Sequence, residues 1–358
     1  MTLVSPAPDA WTGRHDGEGP LHARWHERVE VCSPDVSGTD HVDDGDPTGG
    51  VATAGAAIPT GTASGSAGTD HVALLGFRSD EGVRRNRGRT GAADGPHALR
   101  RALAPLALHG RLGQGDVALR DHGDVVTPGE DLESGQHAMG QAISTALDAD
   151  DTRLAVVLGG GHETAWASYQ GLVGSRRVGP DAPGTPRWGV LNLDAHFDLR
   201  REDRPTSGTP FLQMAEAEQA AGRSFSYAVV GISRPSNTQI LFDRAEEWGV
   251  RWLSDEDCCD RGSAGITEFV TDFAAELDVL YLTIDLDVLP AATAPGVSAP
   301  AAFGVPVPLI SAAVRAAAGT GKLALLDVVE LNPAFDLDSR TARTAARLID
   351  VAVRTATA

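Results

Sequence analysis

The sequence predicts an α/β fold in which helices cover both faces of a mostly parallel central sheet, in three layers, α/β/α. Short apolar runs bounded by turn residues recur along the chain, and helical stretches alternate with them. Polar clusters follow four of these runs. Because ligands in such folds bind beyond the carboxyl ends of the strands, the clusters agree with the fold and indicate a site.

The predicted elements follow in chain order. Strands are predicted over residues 71–77, 154–158, 188–193, 227–231, 250–253, 279–284 and 323–328. Helices are predicted over residues 96–108, 163–172, 210–221, 238–248, 264–276 and 308–318, and a last helix over 339 to about 355. Continuous apolar runs are typical of strands that are buried on both faces, so we expect a parallel sheet.

Composition divides the chain into three parts. Residues 33–70 are rich in Gly, Ala, Ser, Thr, Asp and Pro and lack periodicity, which indicates a low-complexity linker or long loop. This segment separates residues 1–32, which carry Trp11 and Trp25, from a domain over residues 71–358. We expect the N-terminal segment to pack on that domain, which is long enough to bury a sizeable core.

Charge and hydropathy argue against several classes of protein. The formal net charge is −19, from 30 basic and 49 acidic residues, the opposite of the balance typical of nucleic-acid-binding proteins. No apolar run approaches the ~20 residues needed to cross a bilayer, and residues 1–19 lack the pattern of a secretory signal. The odd number of cysteines, three, argues against a disulfide framework. We therefore expect a cytoplasmic protein without nucleic-acid or membrane partners.

The most informative cluster follows the predicted strand 188–193. Asp194, His196 and Asp198 are spaced at i, i+2 and i+4, and an extended backbone points alternate residues to the same side. Without a cation, three ionisable groups crowded in this way would repel each other or shift their pKa values. The alternative is a polar strand end that caps the next helix, but the cluster favours a metal site.

Two more clusters add ligand-type residues. Asp285 and Asp287 repeat the i, i+2 spacing after the predicted strand 279–284. His162 follows three glycines after the strand 154–158; the lysine and hydroxyl residue of a phosphate-binding P-loop are absent there. Four carboxylates and two imidazoles are too acidic for a structural zinc site and suit two divalent ions such as Mn²⁺. Two such ions bridged by a hydroxide form a hydrolytic centre.

The fourth cluster lies at the end of the predicted strand 323–328. Asp327 and Glu330 are both carboxylates that could start a helix, which is the alternative interpretation of this segment. The functional interpretation places Glu330 over the metal ions, where it accepts hydrogen bonds from a cationic substrate.

Three of these motifs, in this order, resemble the ureohydrolase family of arginases and agmatinases. They are Gly-Gly-Gly-His-Glu at 159–163, Asp-Ala-His-Phe-Asp at 194–198 and Ile-Asp-Leu-Asp at 284–287. The resemblance covers residue 71 to the C-terminus and implies an arginase-like α/β/α domain with two Mn²⁺ ions per subunit. The implied ligands are His162, Asp194, His196, Asp198, Asp285 and Asp287. Asp198 would also accept a hydrogen bond from a bridging hydroxide, and Glu330 would hold the amidine or guanidine of a small-molecule substrate. The family also implies a homo-oligomer, a trimer or a hexamer.

Further segments resemble the formimidoylglutamase branch of that family, which acts in histidine degradation. These segments are 79–86 with 89 and 95–96, 207–211, 231–233 with 236–238, and 13–18 with 24–26. Two departures from the wider family agree with this branch. Ser207, which cannot shuttle protons at neutral pH, stands where agmatinases carry a histidine, and Leu289-Pro290 stands where arginases carry Asp-Pro.

The substrate implied by this branch carries a formimidoyl carbon and two carboxylates. That carbon is less crowded and more electrophilic than a guanidinium carbon, so hydroxide attack could proceed without the dedicated histidine. Arg200 and Arg201 follow the central cluster closely, where a guanidinium could bind a carboxylate. Arg200 is the preferred residue because it lies two residues beyond Asp198, and Arg89 and Arg234 are further candidates. The other residues predicted at the substrate are Ser207, Thr209 and Asn237.

The predicted reaction is the hydrolysis of N-formimidoyl-L-glutamate to L-glutamate and formamide. The nearest alternative is the hydrolysis of another guanidino acid with release of urea, as in agmatinases or guanidinobutyrases. A catalytically silent relative that acts as a regulatory binding protein is a second alternative, although all six ligand positions are filled. A metal-dependent phosphoesterase is disfavoured because a highly acidic site without lysines handles phosphate poorly.

Overall fold

The computed structural model describes residues 3–32, 69–182, 184 and 186–358. Within these residues nine strands form one sheet, in which every neighbouring pair is parallel. The strands are β1 (Val29–Val31), β2 (His71–Arg78), β3 (Ala118–Val126), β4 (Thr152–Leu158), β5 (Trp188–Leu193), β6 (Tyr227–Ile232), β7 (Arg251–Ser254), β8 (Val279–Asp285) and β9 (Leu323–Val329). Their order is β1-β3-β2-β4-β9-β8-β5-β6-β7, which confirms the predicted parallel sheet.

Helices cover both faces of the sheet. They are α1 (Trp25–Arg28), α2 (Glu81–Arg85), α3 (Gly95–Leu103), α4 (Gly110–Gln114), α5 (Leu132–Asp148), α6 (Thr164–Gly174), α7 (Pro210–Ala220), α8 (Gln239–Glu247), α9 (Asp255–Ala275), α10 (Val307–Gly319) and α11 (Arg340–Ala356). Buried side chains of α3, α9, α10 and α11 join one apolar cluster, and those of α5, α6, α7 and α8 join another. Along β2, Leu74 belongs to the first cluster and its neighbour Leu75 to the second, because successive strand residues face opposite sides. The predicted three layers are confirmed.

Residues 3–32 lie against the main body of the chain. Trp25 is fully buried, and the Nε1 atom of Trp11 donates a hydrogen bond to Asp121 Oδ2 at 2.7 Å. β1 extends the sheet beside β3. Of the predicted linker over residues 33–70, residues 33–68 lie outside the described residues. Among the helices that the structure describes, none is long and apolar enough to cross a membrane.

The sequence pattern does not predict the strands β1 and β3, the long helix α5 or the short helices α1, α2 and α4. β3 lacks an apolar run because it buries charges in pairs: Arg100, fully buried, binds Asp121 at 2.7 and 2.9 Å and Asp124 at 2.6 Å. Buried charges are rare without a partner, and the partner lies on another element. Inside α5, Gly140 weakens the helical pattern of the sequence. A glycine is present at this position because α5 lies close to α6: a Cβ atom at residue 140 would lie 2.9 Å from Gln170 Cβ.

Candidate metal centre

The four polar clusters meet at one edge of the sheet. β4, β9, β8 and β5 are consecutive neighbours at its centre. His162, Glu330, Asp285 and Asp194 lie at the carboxyl ends of these strands or just beyond them. Because parallel strands end at the same edge, side chains that are far apart in the sequence converge there.

The glycine run after β4 brings His162 to this edge. The amide of Gly161 donates to the carbonyl oxygen of Ser79 at 2.9 Å, so the run lies directly against the segment after β2. A Cβ atom at Gly160 would lie only 1.8 Å from that carbonyl oxygen. Any side chain at Gly160 would therefore force the two segments apart and displace the buried His162.

His162 lies at the centre of the first group of ligand atoms. Its Nδ1 atom is 3.2 Å from Asp194 Oδ2, 3.0 Å from Asp198 Oδ2 and 3.0 Å from Asp285 Oδ2. Separations of about 3 Å are expected between neighbouring ligand atoms that each lie about 2.1 Å from one ion. This nitrogen is buried and makes no hydrogen bond of normal geometry within the part of the chain that the structure describes, which suits a lone pair that binds a metal.

His196 lies at the centre of the second group. Its Nδ1 atom is 3.4 Å from Asp194 Oδ1 and 3.1 Å from Asp287 Oδ2. The two oxygens of Asp194 thus face different imidazoles, Oδ2 towards His162 and Oδ1 towards His196. Because Asp194 belongs to both groups, the two groups adjoin, and each could hold a metal ion.

The electrostatics of the cluster favour cations. Burial, with repulsion from Asp287 and Asp194, raises the pKa of Asp285 well above its usual range, and burial also raises the pKa values of Asp287 and Asp198. Within the described part of the chain, no lysine or arginine pairs with these carboxylates. Four buried carboxylates cannot all ionise without compensating charge. The donor set of carboxylates and imidazoles therefore fits two divalent ions.

Two of the site carboxylates have strained backbones. Asp198 and Glu330 have φ angles of 48° and 68°, in the left-handed region that costs non-glycine residues roughly 1–3 kcal/mol. Hydrogen bonds hold both turns. The hydroxyl of Tyr227 donates to the carbonyl of Phe197 at 2.9 Å, and the amide of Glu330 donates to the carbonyl of Gly160 at 2.8 Å. The fold thus maintains an unfavourable backbone at the site.

Glu330 presents a free carboxylate oxygen at the site. Its Oε1 atom accepts a hydrogen bond from the amide of His162 at 2.8 Å, whereas Oε2 is buried and has no partner among the described residues. Burial, with repulsion from Glu163, raises the pKa of Glu330 to about 8. A cationic group with N–H donors would satisfy this oxygen and favour the ionised form.

Asp327, the other carboxylate of the fourth cluster, does not start a helix. It lies within β9, fully buried, and accepts hydrogen bonds from Ser168 Oγ at 2.7 Å and Tyr281 Oη at 2.5 Å. Glu330 does not start an α-helix either, since α11 begins at Arg340. The alternative interpretation of both residues as helix caps is therefore wrong.

Arg200 and Ser207 lie close together beyond Asp198. The amide of Arg200 donates to the carbonyl of Gly208 at 2.9 Å, and the Arg200 side chain is exposed without a partner among the described residues. Ser207 is buried and accepts a hydrogen bond from Asn86 Nδ2 at 3.1 Å. Sequence reasoning assigned Asn86 no role, although the residue belongs to the motif at 79–86 that carried the resemblance.

The side chains of Thr209 and Asn237 are engaged within the protein. Thr209 Oγ1 accepts from the amide of Thr206 at 3.0 Å and lies 2.8 Å from Gln213 Oε1. Asn237 Oδ1 accepts from the amide of Phe197 at 3.1 Å, and its Nδ2 donates to two carbonyl groups at 2.9 Å. Both residues hold loops of the metal site in place, and their contact with substrate stays a prediction.

The two alternative arginines have other surroundings. Arg89 Nε donates to the carbonyl of Ser298 at 3.1 Å, and its guanidinium lies 4.3 Å from the ring centre of Phe335. The guanidinium of Arg234 lies 5.0 Å from the ring centre of Trp252. Arg89 already donates to the backbone carbonyls of Ser298 and Val297, and Arg234 lies over an aromatic ring, so Arg200 stays the preferred residue for a substrate carboxylate.

Comparison with known proteins agrees with this geometry. Residues 70–353 match the Arginase family. The chain belongs to the arginase family. It is 50% identical to a formimidoylglutamase of Nocardia farcinica over 348 residues, 97% of this chain and 96% of that protein.

Solved structures of the arginase family share the fold. The formimidoylglutamase of Bacillus subtilis superposes with a TM-score of 0.71 at 23% identity, over 82% of this chain and 89% of that one. A Trypanosoma cruzi formiminoglutamase with Mn²⁺₂ superposes with a TM-score of 0.68 at 25% identity, over 79% of this chain and 92% of that one. These comparisons confirm the predicted membership of the arginase family and the predicted α/β/α fold.

Proposed function

We propose that this protein is a formimidoylglutamase that hydrolyses N-formimidoyl-L-glutamate to L-glutamate and formamide in histidine degradation. The observation that carries the proposal is the pair of ligand groups that share the two oxygens of Asp194, with the free oxygen of Glu330 nearby. The 50% identity to the Nocardia farcinica formimidoylglutamase supports the choice of substrate. The Trypanosoma cruzi formiminoglutamase with Mn²⁺₂ supports the choice of metal.

Two Mn²⁺ ions per subunit would occupy the two ligand groups. One group gathers around His162 and the other around His196, and Asp194 belongs to both. When bound, such ions lower the pKa of water to about 7 and so supply a nucleophile at neutral pH. The remaining catalytic tasks fall to side chains of this chain.

Asp198 and Glu330 would handle the reacting groups. Asp198 is the most exposed of the four aspartates, at 9%, and its carboxylate would accept a hydrogen bond from the attacking water. Glu330 Oε2 would accept an N–H of the amidinium group and hold its carbon beside that water. Water adds to the formimidoyl carbon, the bond from that carbon to the glutamate nitrogen breaks, and the nitrogen leaves protonated.

Arg200 and Ser207 would select an acidic formimidoyl compound. The exposed guanidinium of Arg200 can pair with a substrate carboxylate, because no other partner among the described residues occupies it. Ser207 accepts a hydrogen bond from Asn86, which leaves its own hydroxyl hydrogen free to donate. A serine cannot deliver protons as a histidine does, so guanidino substrates are expected to react poorly.

The test uses metal-free protein that is reloaded with Mn²⁺ and incubated with formimidoylglutamate, arginine, agmatine and guanidino acids. We expect glutamate and formamide in equal amounts from formimidoylglutamate, and little or no urea from the others. Efficient urea release from a guanidino acid, without formamide from formimidoylglutamate, would refute the proposed substrate and leave the proposed metal centre unaffected. The control is Asp287→Ala, which removes a ligand of the second group and should react with no substrate.

Metal stoichiometry tests the two-ion centre separately. We expect two Mn²⁺ ions per chain at saturation, and full activity at one ion per chain would contradict the proposed centre. The homo-oligomer, a trimer or a hexamer, and the cytoplasmic location stay predictions, of which light scattering on the purified protein tests the first.

A further inference from the structure

A buried chain of polar groups lies behind His162, on the side of the imidazole opposite to the ligand carboxylates. His162 Nε2 is 3.1 Å from Thr283 Oγ1, and Thr283 lies directly opposite Asp327 in the register of the neighbouring strands β8 and β9. None of the three side chains is more than 1% exposed. The proposed mechanism uses neither Thr283 nor Asp327.

Asp327 is held as a hydrogen-bond acceptor. Its Oδ2 atom accepts from Ser168 Oγ at 2.7 Å and from Tyr281 Oη at 2.5 Å, while Oδ1 is buried without a partner of normal geometry. Burial raises the pKa of Asp327, and the hydroxyl of Thr283 is the strongest of the groups that lower it. Thr283 lies opposite Asp327 in the register of β8 and β9, so both side chains point to the same face of the sheet. Its hydroxyl is therefore a donor available to this carboxylate.

The hydroxyl of Thr283 has a single hydrogen, so the direction of its hydrogen bonds is linked. If that hydrogen is donated to Asp327, the oxygen can only accept from His162, and the imidazole must carry its hydrogen on Nε2. A neutral imidazole has one N–H group, which leaves the lone pair on Nδ1. Nδ1 is the atom that faces the three carboxylates of the first ligand group.

We propose that Thr283 and Asp327 are positioning residues that fix the tautomer of His162 and so set the affinity of the ion bound in the first ligand group. This inference rests on the proposed metal centre. Neither residue touches an ion or the substrate, and both act through His162. Outer partners of metal-binding histidines commonly have this effect on affinity.

The test compares two substitutions of the same residue. Thr283→Val removes the hydroxyl at nearly constant shape, and Thr283→Ser keeps it. Titration of metal-free protein with Mn²⁺, with free Mn²⁺ followed by electron paramagnetic resonance, gives both affinities. In Thr283→Val we expect one affinity to fall about 10- to 100-fold and the other to stay unchanged. Thr283→Ser should bind both ions like the unaltered protein.

Two further variants alter the hydrogen bonds of Asp327, one at the carboxylate itself and one at a donor to it. Asp327→Asn can turn an amide N–H group towards Thr283, so it should weaken the same ion. Ser168→Ala is the matched control, because it removes a hydrogen bond to Oδ2 of the same carboxylate and leaves Thr283 and His162 unaltered. We expect it to lower the melting temperature and leave both affinities intact. The Thr283→Val/Asp327→Asn double variant should bind no more weakly than Thr283→Val.

Three results would overturn the inference. These are a Thr283→Val variant that binds both ions like the unaltered protein, an equal loss at both sites, and equal effects of the valine and serine substitutions. If Asp327→Asn fails to fold, the comparison of Thr283→Val with Thr283→Ser still tests the inference. An unaltered protein that binds two ions but releases no formamide refutes the substrate and leaves this test intact. An unaltered protein that binds no Mn²⁺ refutes both proposals.

Discussion

Substitution of Arg200 by alanine tests how the protein recognises an acidic substrate. Arg200 is exposed and lies two residues beyond Asp198. The position of a Cβ atom at Gly208 would be 3.4 Å from both Arg200 Nε and Asn86 Nδ2, so these two donors converge beside the buried Ser207. A carboxylate in this place would gain hydrogen bonds from a charged donor and a neutral one.

The magnitude follows from the exposure of Arg200. A hydrogen bond to a charged group contributes about 1.5–3 kcal/mol, and solvent screening of an exposed guanidinium favours the lower end. A loss of about 1.5 kcal/mol corresponds to roughly a tenfold change. The carboxylate is remote from the reacting carbon, so we expect KM to rise about tenfold while kcat stays within about twofold.

The assay is the initial rate of glutamate release at varied formimidoylglutamate concentration, with Mn²⁺ content measured for each variant. Arg201→Ala is the matched control, since the neighbouring Arg201 is also exposed but pairs with Glu216 at 2.5 Å. Arg200→Lys should recover part of the affinity. A KM for Arg200→Ala within about twofold of the unaltered protein would refute the assignment. Equal effects of Arg200→Ala and Arg201→Ala would instead indicate a general effect of charge.

Three further predictions concern other parts of the molecule. Asp285→Asn should lose Mn²⁺ and activity yet raise the melting temperature of the metal-free protein, because burial, Asp287 and Asp194 raise the pKa of Asp285 and make its charge unfavourable at neutral pH. A lower melting temperature in chelator would contradict this. Glu330→Gln should keep the hydrogen bond from the amide of His162 and the Mn²⁺ content, but its kcat/KM should fall about 10- to 150-fold. Steady-state rates that match the unaltered protein would contradict this prediction. Trp25→Ala should lower the free energy of unfolding by about 3–5 kcal/mol in denaturant titrations, with Mn²⁺ affinity unchanged, because Trp25 is fully buried; unchanged stability would show that residues 3–32 do not stabilise the fold.

The metal centre could be predicted from the sequence because its signals are local. Asp194, His196 and Asp198 lie within five residues directly after an apolar run, and Asp285 and Asp287 repeat the spacing. Only the parallel sheet is needed to bring these segments together, and the same apolar runs predict that sheet. The local sequence pattern is therefore enough to predict both the ligand-type residues and the edge of the sheet at which they meet.

The edge of the sheet could not be predicted in this way. β3 buries Asp121 and Asp124, which is possible only because α3 supplies Arg100 from outside the strand. Such a compensation depends on tertiary contacts that no window of sequence contains. The same reason hides Thr283, although its position two residues before Asp285 on one strand face was a usable signal.

The residues predicted to contact the substrate show a different limit of the sequence. A polar side chain that follows a metal ligand can serve the substrate or hold the loop, and the sequence does not separate these roles. The positive φ of Asp198 shows why the loop must be held by hydrogen bonds, because a carboxylate occupies a backbone conformation that glycine would adopt more easily. Asn237 meets this need by binding the amide of Phe197, the residue just before Asp198. The backbone strain at Asp198 therefore accounts for Asn237, a neighbouring polar residue that the sequence alone does not distinguish from a substrate contact.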